Sequence, residues 1–334
     1  MPSTRALSDP ERISLALARA AYEAGTVRLA SRDLGGYSHI VASRQGLFAI
    51  REDGFSLIAH GLFFGVTLAG PSIYVFEACD LPRFATRRGR IIRLIREGGR
   101  IVGTEVIATG LSNGCHQIDL IDGRLCVLDT YGQRVLRYGL DGTLDDILQP
   151  LPPARRDDWA GGYVHFNSLL AVGDHILLLL HNGGEATGRQ SELAVLDRNW
   201  RLTDRHMLPG LGCHNIAVLE DGALLTCASL SGELIGPDGL RVKVSPMMTR
   251  GLSVGRDTIA VGASTFSGRR SRHRTAGTVT FLDRAYGVRS VLDLPGAPTE
   301  IRRLDGDDHS LSSGAAADIA IALAEVVMPA DAAR

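Results

Sequence analysis

A unit of four short apolar runs recurs along the chain, and its last copy is divided between the two ends. The clearest copy begins at Cys115. Cys115 to Leu120, Arg124 to Thr130 and Gln133 to Tyr138 are rich in Val, Ile and Leu, and a fourth run follows around Leu144 to Leu148. Asp122-Gly123 and Asp141-Gly142 punctuate them, which predicts strands joined by tight turns. The same order returns in copies opening at Phe63, Val164, Cys213 and Thr249. A sixth opening, Pro298 to Leu304, lies near the C-terminus, while the three runs that complete it lie near the N-terminus, at Ser38 to Ala42, Leu47 to Arg51 and Phe55 to Ala59. Pairing an early strand with a late one closes a ring and leaves no open edge between first and last unit. Repeat periods of about 40–50 residues are those of propeller blades. The expected fold is all-β, a six-bladed β-propeller. A sandwich does not use so many short strands, and a solenoid does not complete its last unit with its first.

Three segments follow from this. Residues 1–26 form an N-terminal helical segment, in which Ser8-Asp9-Pro10 reads as a cap and Ile13, Leu15, Leu17, Ala20 and Tyr22 supply an apolar stripe. Residues 27–305 form the propeller. Residues 306–334 form a helical tail, with Ala, Ile and Leu at helical spacing from Gly314 to Val327, expected to pack outside the ring. The balance of 36 Lys and Arg against 37 Asp and Glu argues against bulk electrostatic attraction to nucleic acid or an anionic membrane. No run reaches the ~18 apolar residues of a membrane span, and Met1 to Arg12 lacks an apolar leader. The five cysteines form no CxxC pair. The expectation is a cytoplasmic protein with reduced, buried thiols, acting on a small molecule.

In a propeller the first strand of each blade lines the central channel, so equivalent residues on these strands form a ring. Aligning the six copies places Phe64, His116, His165, His214, Arg250 and Thr299 at one level. His116 and His165 are 49 residues apart, as are His165 and His214, and again Arg250 and Thr299. A single buried histidine is more often a core residue bonded to a carbonyl. Three on neighbouring blades, converging on one axis, instead suit a divalent metal ion, with Zn or Fe first and Mn or Cu as alternatives. Three protein ligands and an open position are the arrangement of a catalytic rather than a structural site. A metal-free polar channel is the competing expectation.

Around this ring, Arg250 is a candidate to hold a substrate carboxylate or phosphate or to steady developing negative charge. It is also a candidate structural arginine. Glu300, Tyr163 and His181 are candidate acid–base groups, and Phe64, Thr299, Glu77 and Asp129 are candidate substrate contacts. Cys115 and Cys213 precede two of the histidines, and strand alternation turns them away from the channel. The basic run Gly268 to Arg274 reads as a solvated loop or as a cover that attracts an anionic substrate.

Leu125-Cys126-Val127-Leu128-Asp129-Thr130, followed by Gln133-Arg134-Val135-Leu136-Arg137-Tyr138, resembles the repeat of NHL-type and gluconolactonase-like propellers. The openings at Cys115-His116-Gln117-Ile118, Val164-His165-Phe166-Asn167 and Cys213-His214-Asn215-Ile216 are similar to the zinc-binding histidines of peptidyl-hydroxyglycine lyase. That family is a six-bladed propeller with three channel histidines on its metal and an arginine and a tyrosine in catalysis. The resemblance implies metal ligation by His116, His165 and His214, while Arg250 and Tyr163 match in residue type alone. It covers the repeats and not the terminal helices. A chain without a secretory leader departs from a peptide-hormone-processing enzyme, so the substrate does not carry over. The function expected is a metal-dependent lyase or hydrolase of a small polar or anionic substrate. The alternatives are an iron enzyme of the three-histidine oxygenase type and a non-catalytic propeller that binds or scaffolds through its rim.

Overall fold

The computed structural model describes residues 9–265 and 275–315. Helix α1 (Asp9–Glu23) leads into β1 (His39–Ser43), β2 (Gly46–Arg51) and β3 (Gly54–Ala59). Five complete blades follow. The first holds β4 (Phe63–Ala69), β5 (Ser72–Ala78), β6 (Gly89–Glu97) and β7 (Arg100–Leu111). The second holds β8 (Ile118–Ile121), β9 (Arg124–Asp129), β10 (Arg134–Tyr138) and β11 (Leu144–Leu148). The third holds β12 (Phe166–Val172), β13 (His175–Leu180), β14 (Glu192–Asp197) and β15 (Leu202–Met207). The fourth holds β16 (His214–Val218), β17 (Leu224–Ala228), β18 (Glu233–Ile235) and β19 (Arg241–Lys243). The fifth holds β20 (Met248–Val254), β21 (Ile259–Ser264), β22 (Gly277–Leu282) and β23 (Val288–Leu294). The last strand, β24 (Pro298–Arg303), pairs antiparallel with β1, with Val41 opposite Ile301, and so completes a sixth sheet in the order β24-β1-β2-β3. The split blade expected from the sequence is therefore present.

Side-chain burial follows from the position of each strand in its blade. The inner strands β12 and β20 are buried along their whole length, whereas β11 at an outer edge is exposed at four of five residues. Inner strands touch the next blade's inner strand in cyclic order, β4 to β8, β12, β16, β20, β24 and back to β4. Apolar side chains fill the space between each pair of neighbouring blades: Val66 and Val75 meet Ile40 and Leu47, for instance, and Val218 and Leu224 meet Leu177 and Leu179. The hydrophobic effect thus acts on six interblade layers rather than one central core. The axis itself is lined with polar groups.

Both ends of the chain are tied to this ring. Leu15, Ala18 and Ala21 of α1 are buried. Arg90 pairs with Glu77 at 2.7 Å and donates to the carbonyls of Ala21 and Thr26, while Arg19 pairs with Asp80 at 2.9 Å. Leu17 of the expected apolar stripe is 43% exposed, because the buried face runs through Leu15, Ala18 and Ala21 instead. Beyond β24 the chain turns inward. Val218 N–H donates to His309 O, His309 N–H to Val254 O, Ala171 N–H to Ser312 Oγ and Ser312 N–H to Asp119 Oδ2. Asp308 accepts from Ser253 Oγ, Val254 N, Arg303 N, Ser310 N and Ser310 Oγ. Residues 305–315 therefore cross the channel where the inner strands end, because donors and acceptors from several blades gather there. The described part of the tail lies across the channel rather than on the outside. The expected helix from 316 onward lies outside the described residues, as does the basic run 268–274.

Candidate functional site in the propeller channel

The histidines sit at the other end of the channel, where the inner strands begin. His116 and His165 precede β8 and β12 by a residue or two, and His214 opens β16. The expectation had placed all three inside regular strand. Instead the register shifts between Phe63 and Val66, Phe166 and Ser168, His214 and Ile216, and Thr249 and Leu252. These are β-bulges, which bend a strand and re-aim its side chains. His165 has φ of 57° and Asn215 a φ of 58°, so the backbone turns through the left-handed region beside the site. For His165 that conformation carries strain that the surrounding contacts must offset.

The four imidazoles of the site are in ring contact in series. Centroids are 4.9 Å apart for His116 and His165, 5.0 Å for His165 and His181, and 5.1 Å for His181 and His214. His181, from the turn after β13, thus joins the three ring histidines. They line a cavity of about 270 Å³ together with Arg250, Arg44, Arg156, Phe64, Tyr131 and Trp159. Arg250 is buried on β20. The Arg44 guanidinium lies 5.2 Å from the Phe64 ring centre, and that of Arg156 lies 3.6 Å from the Tyr131 ring centre.

Hydrogen bonding fixes how two of the imidazoles face the cavity. His116 Nδ1 lies 2.8 Å from Gly114 O, and His214 Nδ1 lies 2.8 Å from Gly212 O. A carbonyl only accepts, so each Nδ1 carries the hydrogen and each Nε2 of the neutral ring keeps a lone pair. Ser229 Oγ supports His214 Nδ1 from a second side at 2.8 Å. Tyr163 Oη lies 3.2 Å from both Thr130 O and His165 Nδ1. With its hydrogen given to Thr130, the phenol oxygen accepts Nδ1–H of His165, and the third ring takes the same tautomer. Tyr163 is fully buried behind His165. Burial, and after it the charge of Arg250, hold His116 and His214 well below the usual imidazole range, so both are neutral near pH 7.

Several other expected site residues serve the framework. Glu77 is in the buried pair with Arg90, which anchors α1. Asp129 accepts from Arg134 at 2.8 Å within its own hairpin. Thr299 donates to Ala42 O at 2.9 Å and Phe63 O at 3.1 Å, fastening the closing blade. Glu300 lies deeper, against Arg302 at 2.6 Å and Asn215 at 2.9 Å, and burial pushes its carboxyl up to about 7. None of these four lines the cavity. Burial raises the Cys115 thiol and pushes that of Cys213 up to about 12, so neither is a thiolate at neutral pH. Among the described residues, no group of three or more His, Cys, Asp or Glu side chains is arranged to hold a metal ion. Trp159, Tyr131, Arg44 and Arg156 were not singled out from the sequence. The available signal for two of them was the long connection between β11 and β12, which holds Arg156 and Trp159, since connections of that length are often functional.

With the geometry in place, comparison adds the fold. No protein-family model matches the chain, and no curated protein matches it. A chain of a nidogen/laminin complex is 10% identical with a TM-score of 0.56, over 83% of this chain and 99% of that one. A protein of unknown function from Bacteroides caccae is 12% identical with a TM-score of 0.53, over 80% and 99%. A streptogramin B lyase is 10% identical with a TM-score of 0.47, over 86% and 95%. At these identities the likeness reaches the propeller fold and no further. Among the described residues, no helix is long and apolar enough to cross a membrane.

Proposed function

We propose that the channel cavity binds a small anionic molecule and acts on it by imidazole acid–base chemistry, as a lyase or hydrolase. The observation that carries this reading is the tautomer pattern. Nδ1 of His116 and of His214 is committed to a backbone carbonyl, and both rings are held neutral by burial and Arg250. A neutral imidazole with its Nε2 lone pair available is a general base, and the imidazolium it becomes is a general acid. Arg250, in Coulombic reach of both, draws an anionic group and steadies charge that builds during reaction. Tyr163 is the positioning residue of His165. The test is exchange in D2O. Millimolar pools of small organic acids are incubated with the protein and followed by proton NMR for lost C–H signals or new products. Turnover by the wild type that disappears in His116→Gln and His214→Gln supports the reading. Equal turnover in those variants, or none by the wild type, overturns it.

A second reading places a metal ion on His116, His165 and His214. The shared Nδ1–H tautomer favours it, because metal-bound imidazoles have their other nitrogen oriented by a hydrogen bond in this way. The metal would supply Lewis acidity or an activated water. The side chains as placed do not form such a cluster, so no step is routed through one. Elemental analysis of protein purified without added metal distinguishes the two: stoichiometric zinc or iron, lost in His165→Ala, selects the second.

A further inference from the structure

We infer that Asn215 is a positioning residue for the cavity: it ties together the three strand bulges that aim His165, His214 and Arg250, and Glu300 holds its carboxamide in place. This rests on the acid–base reading above, because a positioning role presumes a site to position, but its test does not depend on turnover.

Each of the three side chains is carried at or beside a bulge. The register shifts between Phe166 and Ser168 just after His165, between His214 and Ile216, and between Thr249 and Leu252 around Arg250. A bulge re-aims side chains but leaves the ladder locally unmade, so each must be fixed by other bonds. Asn215 is the extra residue of the middle bulge and follows His214 directly. It is 3% exposed and stands at φ of 58°, a conformation that asparagine adopts more readily than most residues.

Its backbone and side-chain polar groups are engaged on four blades. Asn215 N–H donates to Ser168 Oγ at 2.8 Å, on β12 just past the bulge that follows His165. Its carbonyl accepts from Thr226 Oγ1 at 2.7 Å in its own blade. Its Oδ1 accepts from Gly251 N–H at 2.7 Å, the residue after Arg250 on β20. Its Nδ2 donates to Glu300 Oε1 at 2.9 Å on β24.

The carboxamide has one workable orientation. Gly251 N–H only donates, so it selects Oδ1 and turns Nδ2 toward Glu300. Arg302 Nη1, 2.6 Å from Glu300 Oε1, keeps that oxygen an acceptor. A flipped amide would set donor against donor at Gly251 and acceptor against acceptor at Glu300. Gly251 stands at φ of 90°, and a Cβ there would meet Ile301 Cγ1 at 3.0 Å, so glycine's freedom is used at this contact. One buried amide thus sets the strand of His214 against that of Arg250. The backbone N–H of the same residue sets it against the strand that follows His165.

Ring geometry tests this. Asn215→Gly tolerates the same φ and keeps the backbone bonds, but removes both side-chain bonds. Nuclear Overhauser contacts between imidazoles are measured in the full chain labelled at histidine. The His181–His214 contact, with centroids 5.1 Å apart, is the reporter, and the His116–His165 contact, at 4.9 Å, is the internal reference. We expect the reporter to weaken severalfold in Asn215→Gly with the reference unchanged, because this signal falls as the sixth power of distance. If that variant does not fold, Ser168→Ala, which removes the acceptor of Asn215 N–H, is expected to weaken the reporter in its place. Asn215→Asp combined with Glu300→Gln exchanges donor and acceptor across their bond and keeps an acceptor for Gly251 N–H. That pair should return the reporter to wild-type strength. A reporter at wild-type strength in the folded single variant, with stability alone reduced, overturns the inference, as does a double variant no better than Asn215→Gly. Where the wild type shows turnover, Asn215→Gly should lower kcat about a hundredfold with KM nearly unchanged. A wild type without turnover removes the acid–base reading, and the ring contacts still decide this one.

Discussion

Lowering the pH sets two buried groups against each other, and one substitution separates them. His39 on β1 is 2% exposed, with Ser38 Oγ 2.8 Å from its Nδ1 and the Phe281 ring at 5.6 Å. Burial is the main cause that lowers its pKa from 6.5 to about 4; Asp308 and Asp305 oppose that shift and Arg303 adds to it. The fold therefore favours neutral His39, and its contribution is fully present above pH 6.5 and lost as pH falls to 4. At ~1.4 kcal/mol per pKa unit, the loss is about 2 kcal/mol at pH 5 and about 3 kcal/mol below pH 4. Glu300 acts in the opposite sense. Its carboxyl is raised from 4.5 to about 7, mainly by burial, so the fold favours the protonated form and gains about 2 kcal/mol between pH 7.5 and pH 5. The two oppose each other in the wild type, where other buried groups such as His116 and His214 also contribute, so the variants are needed to separate them. In His39→Gln, urea unfolding followed by tryptophan fluorescence should lose about 2 kcal/mol less between pH 7.5 and pH 5 than the wild type does. In Glu300→Gln it should lose about 2 kcal/mol more. A His39→Gln protein with the wild-type difference between the two pH values would refute the argument that this imidazole is held neutral by the fold.

Three further outcomes follow from described contacts. Arg90→Met leaves Glu77 buried without its ion partner and should cost about 3–5 kcal/mol, read as a fall in urea midpoint, with α1 becoming sensitive to protease. Thr299→Val removes both hydrogen bonds that fasten the closing blade and should cost about 1–2 kcal/mol by thermal unfolding. Asp308→Ala removes the acceptor of five donors and should open residues 305–315 to limited proteolysis while the blades stay folded by circular dichroism. Wild-type resistance to protease in that variant would count against this segment being held by its carboxylate.

The architecture was legible because a propeller repeats its pattern. The apolar pattern of the copies, supported by a spacing of 49 residues at three of the five steps, set which strand positions correspond, and the split copy announced the closing blade. The same spacing brought His116, His165 and His214 together on paper, and all three line one cavity. The bulges beside His165 and His214 were not legible, since a bulge changes register without changing the alternation of residue types that reveals a strand. Gly251, next to Arg250 at φ of 90°, and Asn215, next to His214, are local hints. Glu77 and Asp129 looked like site residues because they end second strands, yet each is held by an arginine across its own sheet, a pairing set by register. The path of residues 305–315 across the channel was not legible for a different reason. Its Asp308, Ser310 and Ser312 read as ordinary polar tail until hydrogen-bond partners from β8, β12 and β20 and from β24 are placed opposite them.

Residues 305–315 lie across the end of the channel opposite the imidazoles, tied to β8, β12, β16 and β20. A molecule passing the imidazoles to the far face would have to break hydrogen bonds that Ser312, Ser310 and His309 make there. Under the proposed function, a product that leaves by the face it entered blocks its successor, and the rate of emptying rather than of filling would govern turnover.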